Sequence, residues 1–182
     1  MTEFFLTVAL SALLGGLIIG YTLKNGISPM PTSSKVRQAL FDHLPPLRKG
    51  VVVDLGSGWG HLLFPLSKYY PECTVIGYEN SLLPYLFSTC LNRYRHVRVM
   101  RRNFFHVSLS EASLVVCYLF PKGMEKLKTK LESELASGAL VVTHTFAIPG
   151  WKPIKTVHVG DLYRSPIYFY RMGKPCTQDK KD

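Results

Sequence analysis

Hydrophobic positions along the chain fall into three kinds of pattern, and each predicts a different element. The first is unbroken: Phe4 to Leu23 (FFLTVALSALLGGLIIGYTL) runs for 20 residues without a charge. At about 1.5 Å per residue, a helix of that length matches a hydrocarbon core about 30 Å thick. Glu3 stands where a signal peptide carries its positive charge, and no small-x-small cleavage pattern follows. The run therefore predicts an uncleaved transmembrane anchor over residues 1–24. The second pattern is helical. After a Gly/Pro/Ser linker over residues 25–34, Val36, Leu40 and Leu44 recur on one face behind Ser33 or Ser34 as cap, with Pro45-Pro46 as the stop. His61 to Tyr70, Ser81 to Tyr94 (Ser81 as cap) and the Lys/Glu-rich Gly123 to Ala136 read as further helices. The third pattern is the short apolar run of a strand: Val51 to Leu55, Thr74 to Glu79, Ala112 to Leu119 and Ala139 to Phe146, with Val97 to Met100 a short strand among arginines. Thr156 to Val159 and Pro166 to Tyr170 predict two last strands with no helix between them.

Strands alternating with helices imply βαβ units, right-handed crossovers and a mostly parallel α/β sheet, closed here by a terminal antiparallel hairpin. The 182 residues suffice for one such domain, expected over 35–172 and followed by a polar tail over 173–182. A hydrophobic fraction of 47% supplies its core and excludes a disordered or fibrous chain. Cys73, Cys90, Cys117 and Cys176 lie far apart, with no CxxC pair and no metal-ligand spacing. That pattern excludes a disulfide framework and structural zinc, and leaves Cys73, Cys90 and Cys117 as buried small hydrophobes. The net charge of +10 points to an anionic partner. Lys24, Lys35 and Arg37 follow the apolar run while no Lys or Arg precedes it. The positive-inside rule therefore sets the domain on the cytoplasmic, or matrix-like, side of a membrane.

The chemistry concentrates between the first strand and the first following helix, in Asp54-Leu-Gly56-Ser57-Gly58-Trp59-Gly60. Glycines there let backbone approach a ligand, and helix N-terminal amides face it. The spacing is D-x-G-x-G-x-G, not the G-x-G-x-x-G of dinucleotide enzymes. With Glu79 closing the second strand, where a carboxylate can grip both ribose hydroxyls, it resembles motif I of class I S-adenosylmethionine (SAM) methyltransferases. The plain alternative is a tight turn beside a solvated acid. The same resemblance puts Asn103, after the third strand, where many of these enzymes place a polar side chain on the adenine amine; the plain alternative is an ordinary Asn in a turn.

The resemblance narrows further along the chain. Pro29-Met-Pro31-Thr32, the glycine loop, Gly77-Tyr78-Glu79, Phe120-Pro121, Leu131-Glu-Ser-Glu-Leu135 and above all Phe146-Ala-Ile-Pro149-Gly-Trp151-Lys-Pro153 carry it. On these segments the chain resembles the small membrane-anchored protein-lysine methyltransferases that modify the mitochondrial adenine nucleotide translocase and the ATP synthase c-subunit, with their prokaryotic relatives. It departs from them at Trp59, usually an acid, at His61, usually basic, and at Asn103, usually Asp. The resemblance implies a Rossmann-like fold, SAM as cofactor held by Asp54, Gly56, Ser57, Gly58, Gly60, Glu79 and Asn103, and a lysine amine of a membrane-associated protein as acceptor. Methyl transfer from a sulfonium to an amine needs alignment and a neutral amine more than a strong acid. Tyr118, Phe120 and Trp151 are accordingly the candidate walls of a substrate channel, with the core-aromatic reading beside each. His144 is a candidate base, set aside because a lone strand histidine is more often a core residue.

Arg93, Arg95, Arg98, Arg101 and Arg102 crowd into a stretch with no acid between Glu79 and Glu111. They protect an edge strand from stray pairing or face anionic head groups. No recognisable RNA module accompanies them, so no specific nucleic acid is expected. The other readings are a methyltransferase of a small amphiphile such as a quinone or lipid, and a non-catalytic nucleotide-binding scaffold.

Overall fold

Five runs, each too short for a helix, pair side by side in a parallel sheet: the near-continuous apolar ones need cover on both faces, while Val97–Arg101, with its exposed arginines, takes an edge. In the computed structural model, which describes residues 1–25 and 32–173, these are β1 (Val51–Leu55), β2 (Thr74–Glu79), β3 (Val97–Arg101), β4 (Ala112–Cys117) and β5 (Leu140–His144). Two more strands, β6 (Lys155–His158) and β7 (Pro166–Arg171), complete a seven-stranded sheet of order β3-β2-β1-β4-β5-β7-β6. β1 to β5 pair in parallel, and β7 inserts antiparallel between β5 and β6. The expected antiparallel ending and the position of β3 at an edge both appear.

The helices are α1 (Thr2–Asn25), α2 (Ser34–Phe41), α3 (Leu63–Tyr69), α4 (Leu82–Leu91) and α5 (Pro121–Glu134). The chain forms two units, Met1–Met30 and Pro31–Asp182. In the first, α1 is the 24-residue helix the apolar run predicts. Side chains at 10, 12–14, 17–19 and 21–25 fall outside the description. Among the described residues, no helix is long and apolar enough to cross a membrane, so the predicted transmembrane anchor is not carried by the structure. Most of the expected linker and nearly all of the expected polar tail fall at 26–31 and 174–182, outside the described residues.

In the second unit, β1→β2 and β2→β3 run one way across the sheet and β4→β5 the other. Right-handed crossovers therefore put α3 and α4 on one face and α5 on the opposite face. On the first face Val36 and Leu40 of α2, with Leu44 after it, and Leu63 and Leu66 of α3 close over Val52, Val75, Val97, Leu114 and Val116. On the other, Met124, Leu127 and Leu131 of α5 are fully buried.

Element ends move from their predicted places for local reasons. α2 stops at Phe41, four residues before Pro45, and Ser33 caps it by accepting from Val36 N–H. α3 starts at Leu63 rather than His61 because Gly60 sits at φ +86°, outside helical space. α4 ends at Leu91 because Asn92 turns extended, its side chain accepting from Tyr94 N–H and donating to Val97 C=O. Ser81 does not cap α4 through its hydroxyl; its N–H donates to Glu79 instead. α5 takes Pro121 at its first turn, where the missing N–H is harmless. Cys90 corrects the cysteine reading: Cys73 and Cys117 are buried, but Cys90 is exposed, because α4 turns Pro84 and Ser88 to the sheet.

Candidate active site

Every candidate cofactor residue follows or ends a parallel strand, so all gather along the carboxyl edge of the sheet. The strand order reverses between β1 and β4, the place where open α/β sheets hold their ligands. Leaving β1, the chain turns through Gly56, Gly58 and Gly60 at φ +79°, +51° and +86°. Gly56 and Ser57 donate their N–H groups to Tyr78 C=O (2.9 and 3.0 Å), which staples the loop to β2. An added β-carbon at Gly56 meets nothing within 4 Å, and one at Gly58 meets only the Gly56 carbonyl oxygen, at 3.9 Å. At Gly60 a β-carbon would lie 2.4 Å from the Phe64 ring. Gly77 on β2, beside Asp54 in the register, has the same constraint: its β-carbon would lie 2.7 Å from Ser57 Oγ and from Leu63. The sequence marked Gly77 only as part of a family segment; its role is to let the loop fold back over β2.

Two carboxylates flank this loop. Glu79 is buried, its Oε2 accepting from Gly58 N–H (2.8 Å) and its Oε1 from Ser81 N–H (2.6 Å), so it joins the glycine loop to the start of α4. Each oxygen keeps a further lone pair for a ligand hydroxyl. Asp54 is 3% exposed, and its Oδ2 finds no partner among the described residues. Burial first, then the nearby Glu79 charge, pushes its carboxyl up to about 7. Ser57 Oγ, also buried, is likewise unpaired. An orphaned buried carboxylate is expensive unless something cationic or hydrogen-bonding meets it. Cys117 Sγ sits beside Asp54, and burial together with that carboxylate raises its thiol far above the ordinary range. Asn103 accepts from Phe105 N–H (3.0 Å) and so caps the short 3₁₀ turn Phe104–His106. One carbonyl lone pair remains for an adenine amine.

The second half of the edge is aromatic. Tyr118 stacks on His144 (4.4 Å between ring centroids, 6° between planes) and on Phe146 (6.1 Å), and Phe120 leans on Phe146 (5.6 Å). Tyr118 and Phe120 thus share one cluster. Trp151 does not join it: its ring packs edge-on against Tyr170, and its Nε1–H donates to Glu132 near the far end of α5. Eleven residues separate Glu132 from Pro121, roughly 16 Å of helix. Trp151 braces the Pro149–Pro153 loop there.

His144, set aside on sequence grounds, lies at the centre of the cluster. It is buried, and burial lowers its imidazole to about 4, so it is neutral at physiological pH. Its ring nitrogens lie 3.4 Å from the hydroxyls of Thr32 and Thr145. Thr145 holds φ +69°, a left-handed conformation costly for a β-branched residue and common beside functional sites. A lone histidine at a strand end carried no signal of this; only the register of β4 against β5 brings Tyr118 over it.

The strand order, the glycine loop between β1 and α3, and the acid closing β2 define a class I SAM-dependent methyltransferase. The buried Asp54, with an oxygen to offer an ammonium, and the open cradle at Gly56 and Gly58 fit the amino-acid and ribose ends of that cofactor. Residues 54–155 match the family model of the ANTKMT methyltransferase domain. A protein-lysine N-methyltransferase of Saccharolobus islandicus is 31% identical over 150 residues, 80% of this chain and 93% of that protein. The rat lysine N-methyltransferase of the ATP synthase c-subunit is 32% identical over 74% of this chain and 62% of its own length. The mouse adenine nucleotide translocase lysine N-methyltransferase is 34% identical over 62% and 51%. The chain thus spans nearly all of the archaeal relative and between half and two thirds of the mammalian ones. Among solved structures, an RNA methyltransferase of Salinibacter ruber in complex with S-adenosyl-L-homocysteine superposes with a TM-score of 0.72 at 24% identity, over 84% of this chain and 100% of that one, a likeness of fold. The chain belongs to the ANTKMT methyltransferase domain family, and its cofactor is SAM.

Proposed function

We propose that this protein transfers the methyl group of SAM to the side-chain amine of a lysine in a membrane or membrane-proximal protein, tethered through α1. The observation that carries the lysine reading is the Tyr118–His144–Phe146–Phe120 cluster beside the cofactor loop. An amine accepts a methyl only through its free lone pair, so the ammonium must first lose its proton. Surroundings that lower the His144 imidazole to about 4 by burial disfavour any cation, and they favour the neutral form of a lysine entering there. The faces of Tyr118 and Phe120 also suit the apolar stem of that side chain. Bound SAM supplies the electrophilic methyl on its sulfonium. The chain's own part is to hold the cofactor through Glu79, Asp54 and the glycine loop, and to align a dehydrated amine. The similar archaeal, rat and mouse proteins are lysine N-methyltransferases, which supports a lysine acceptor. The 20-residue uncharged run within α1 and the basic residues after it support the tether, with the domain on the cytoplasmic or matrix-like side.

The test is transfer from labelled SAM into a membrane fraction lacking this protein, with Glu79→Ala as the inactive control. A labelled, protease-sensitive band that yields methyl-lysine on hydrolysis is the expected result. Label confined to the lipid extract would refute the reading.

A further inference from the structure

α4 is built with its apolar side outward. Its ten residues read LLPYLFSTCL, and the two it turns to the sheet are Pro84 and Ser88. Ser88 is fully buried and satisfies its hydroxyl on Tyr85 C=O of its own helix (3.0 Å). Leu86 and Phe87 are 47% exposed, Leu91 is 46% exposed, and Cys90 is exposed beside them. Positions 83, 86, 87, 90 and 91 form one helical stripe. An ordinary surface helix has the reverse arrangement, with its stripe on the core. The stripe continues into the cofactor loop, for Trp59 packs edge-on against Phe87 (5.2 Å between centroids, 81°).

Charge says what covers this face. The turn that leaves α4 exposes Arg93 and Arg95. β3 then exposes Arg101 on the α4 side of the sheet, the side that Val97 and Val99 share by alternation. No acid occurs between Glu79 and Glu111. An apolar stripe bordered by arginines, with no acid interposed, is the arrangement of a helix lying in a lipid interface, apolar side among acyl chains and cations at the phosphates. We infer that the outer face of α4, with Trp59, Arg93 and Arg95, docks the methyltransferase domain onto an anionic phospholipid surface. The contact is separate from α1, and it presents the glycine loop and the start of α4 at the membrane boundary. This extends the membrane-tethered reading above but does not depend on α1 spanning the bilayer.

Cys90 serves as a native reporter. The full chain, with Cys176→Ser to remove the other candidate thiol, is incubated with vesicles of phosphatidylcholine alone or with phosphatidylglycerol. Flotation is scored, and Cys90 is modified with a water-soluble maleimide. The expected result is modification slowed at least tenfold on phosphatidylglycerol vesicles only. Arg93→Gln with Arg95→Gln restores most of that rate, roughly tenfold, while S-adenosylhomocysteine binding is unchanged. Flotation with both vesicle types but equal Cys90 rates would overturn the docking and leave the tether standing. Failure to float even with phosphatidylglycerol would overturn both. Protection that rises with protein concentration assigns the face to a second copy, and protection in every medium and dilution assigns it to the chain itself; either overturns the inference.

Discussion

Replacing Asp54 by Asn perturbs one buried carboxyl whose protonation is set by the fold. Unfolded, Asp54 ionises at its ordinary 3.8; folded, burial and then Glu79 hold it at about 7. The native state therefore keeps a proton that the unfolded chain gives up, and this contribution to stability falls as pH rises from about 4 to 7. At about 1.4 kcal/mol for each tenfold difference in proton affinity, the loss accumulates to about 4 kcal/mol by pH 7. A cofactor ammonium that pairs with the ionised carboxylate must displace that proton. S-adenosylhomocysteine affinity should then weaken as pH falls: with a carboxyl near 7, the ionised fraction drops about eightfold between pH 7.5 and 6, while an α-amino group stays largely protonated. The assay is calorimetric titration with S-adenosylhomocysteine at pH 6, 6.75 and 7.5, beside denaturant unfolding of the cofactor-free protein from pH 4.5 to 8. Wild type should show the affinity dependence, while its stability stays nearly level between pH 4.5 and 7, because the oppositely signed His144 contribution offsets most of the Asp54 loss. Asp54→Asn should bind weakly with little change across pH 6–7.5, and its stability relative to wild type should rise by about 3 kcal/mol between pH 4.5 and 7. Equal wild-type affinity at pH 6 and 7.5, or an unchanged stability slope in the variant, would refute the assignment of Asp54 as the proton-linked anchor.

Glu79→Ala strands the N–H groups of Gly58 and Ser81 and removes the candidate ribose acceptor. It should lower unfolding free energy by about 2–4 kcal/mol and S-adenosylhomocysteine affinity at least tenfold, measured by denaturation and titration. Gly60→Ala combines φ +86° with a β-carbon 2.4 Å from Phe64 and should lower stability by about 2–4 kcal/mol. The added Phe64→Ala should recover the steric part relative to its own background, seen as non-additivity in a double-mutant cycle. His144, lowered from 6.5 to about 4, contributes stability that is present above pH 6.5 and disappears as pH falls towards 4, about 3 kcal/mol in all. Its ring resonances should titrate near 4, so the pH profile of kcat should show no inflection from it between 5 and 8.

The order of strands and helices, the direction of the sheet and the place of the glycine loop and its neighbouring acids were readable along the chain because they rest on local rules. An apolar run of five residues cannot be covered as a lone strand, glycines at +79°, +51° and +86° occupy space other residues avoid, and a carboxylate at a strand end has one edge to face. What the sequence could not determine is whatever depends on two elements meeting. It named Tyr118 and Phe120 but grouped Trp151 with them, and only the packing of the Pro149–Pro153 loop against α5 separates it by a helix length. It passed over His144, since neutrality by burial belongs to the register of β4 with β5 and to no property of a histidine among valines. It took Cys90 for a core thiol because composition cannot say which side of an apolar helix faces inward. Tertiary packing made that choice, turning Pro84 and Ser88 to the sheet and leaving Leu86, Phe87 and Leu91 in solvent beside the arginines.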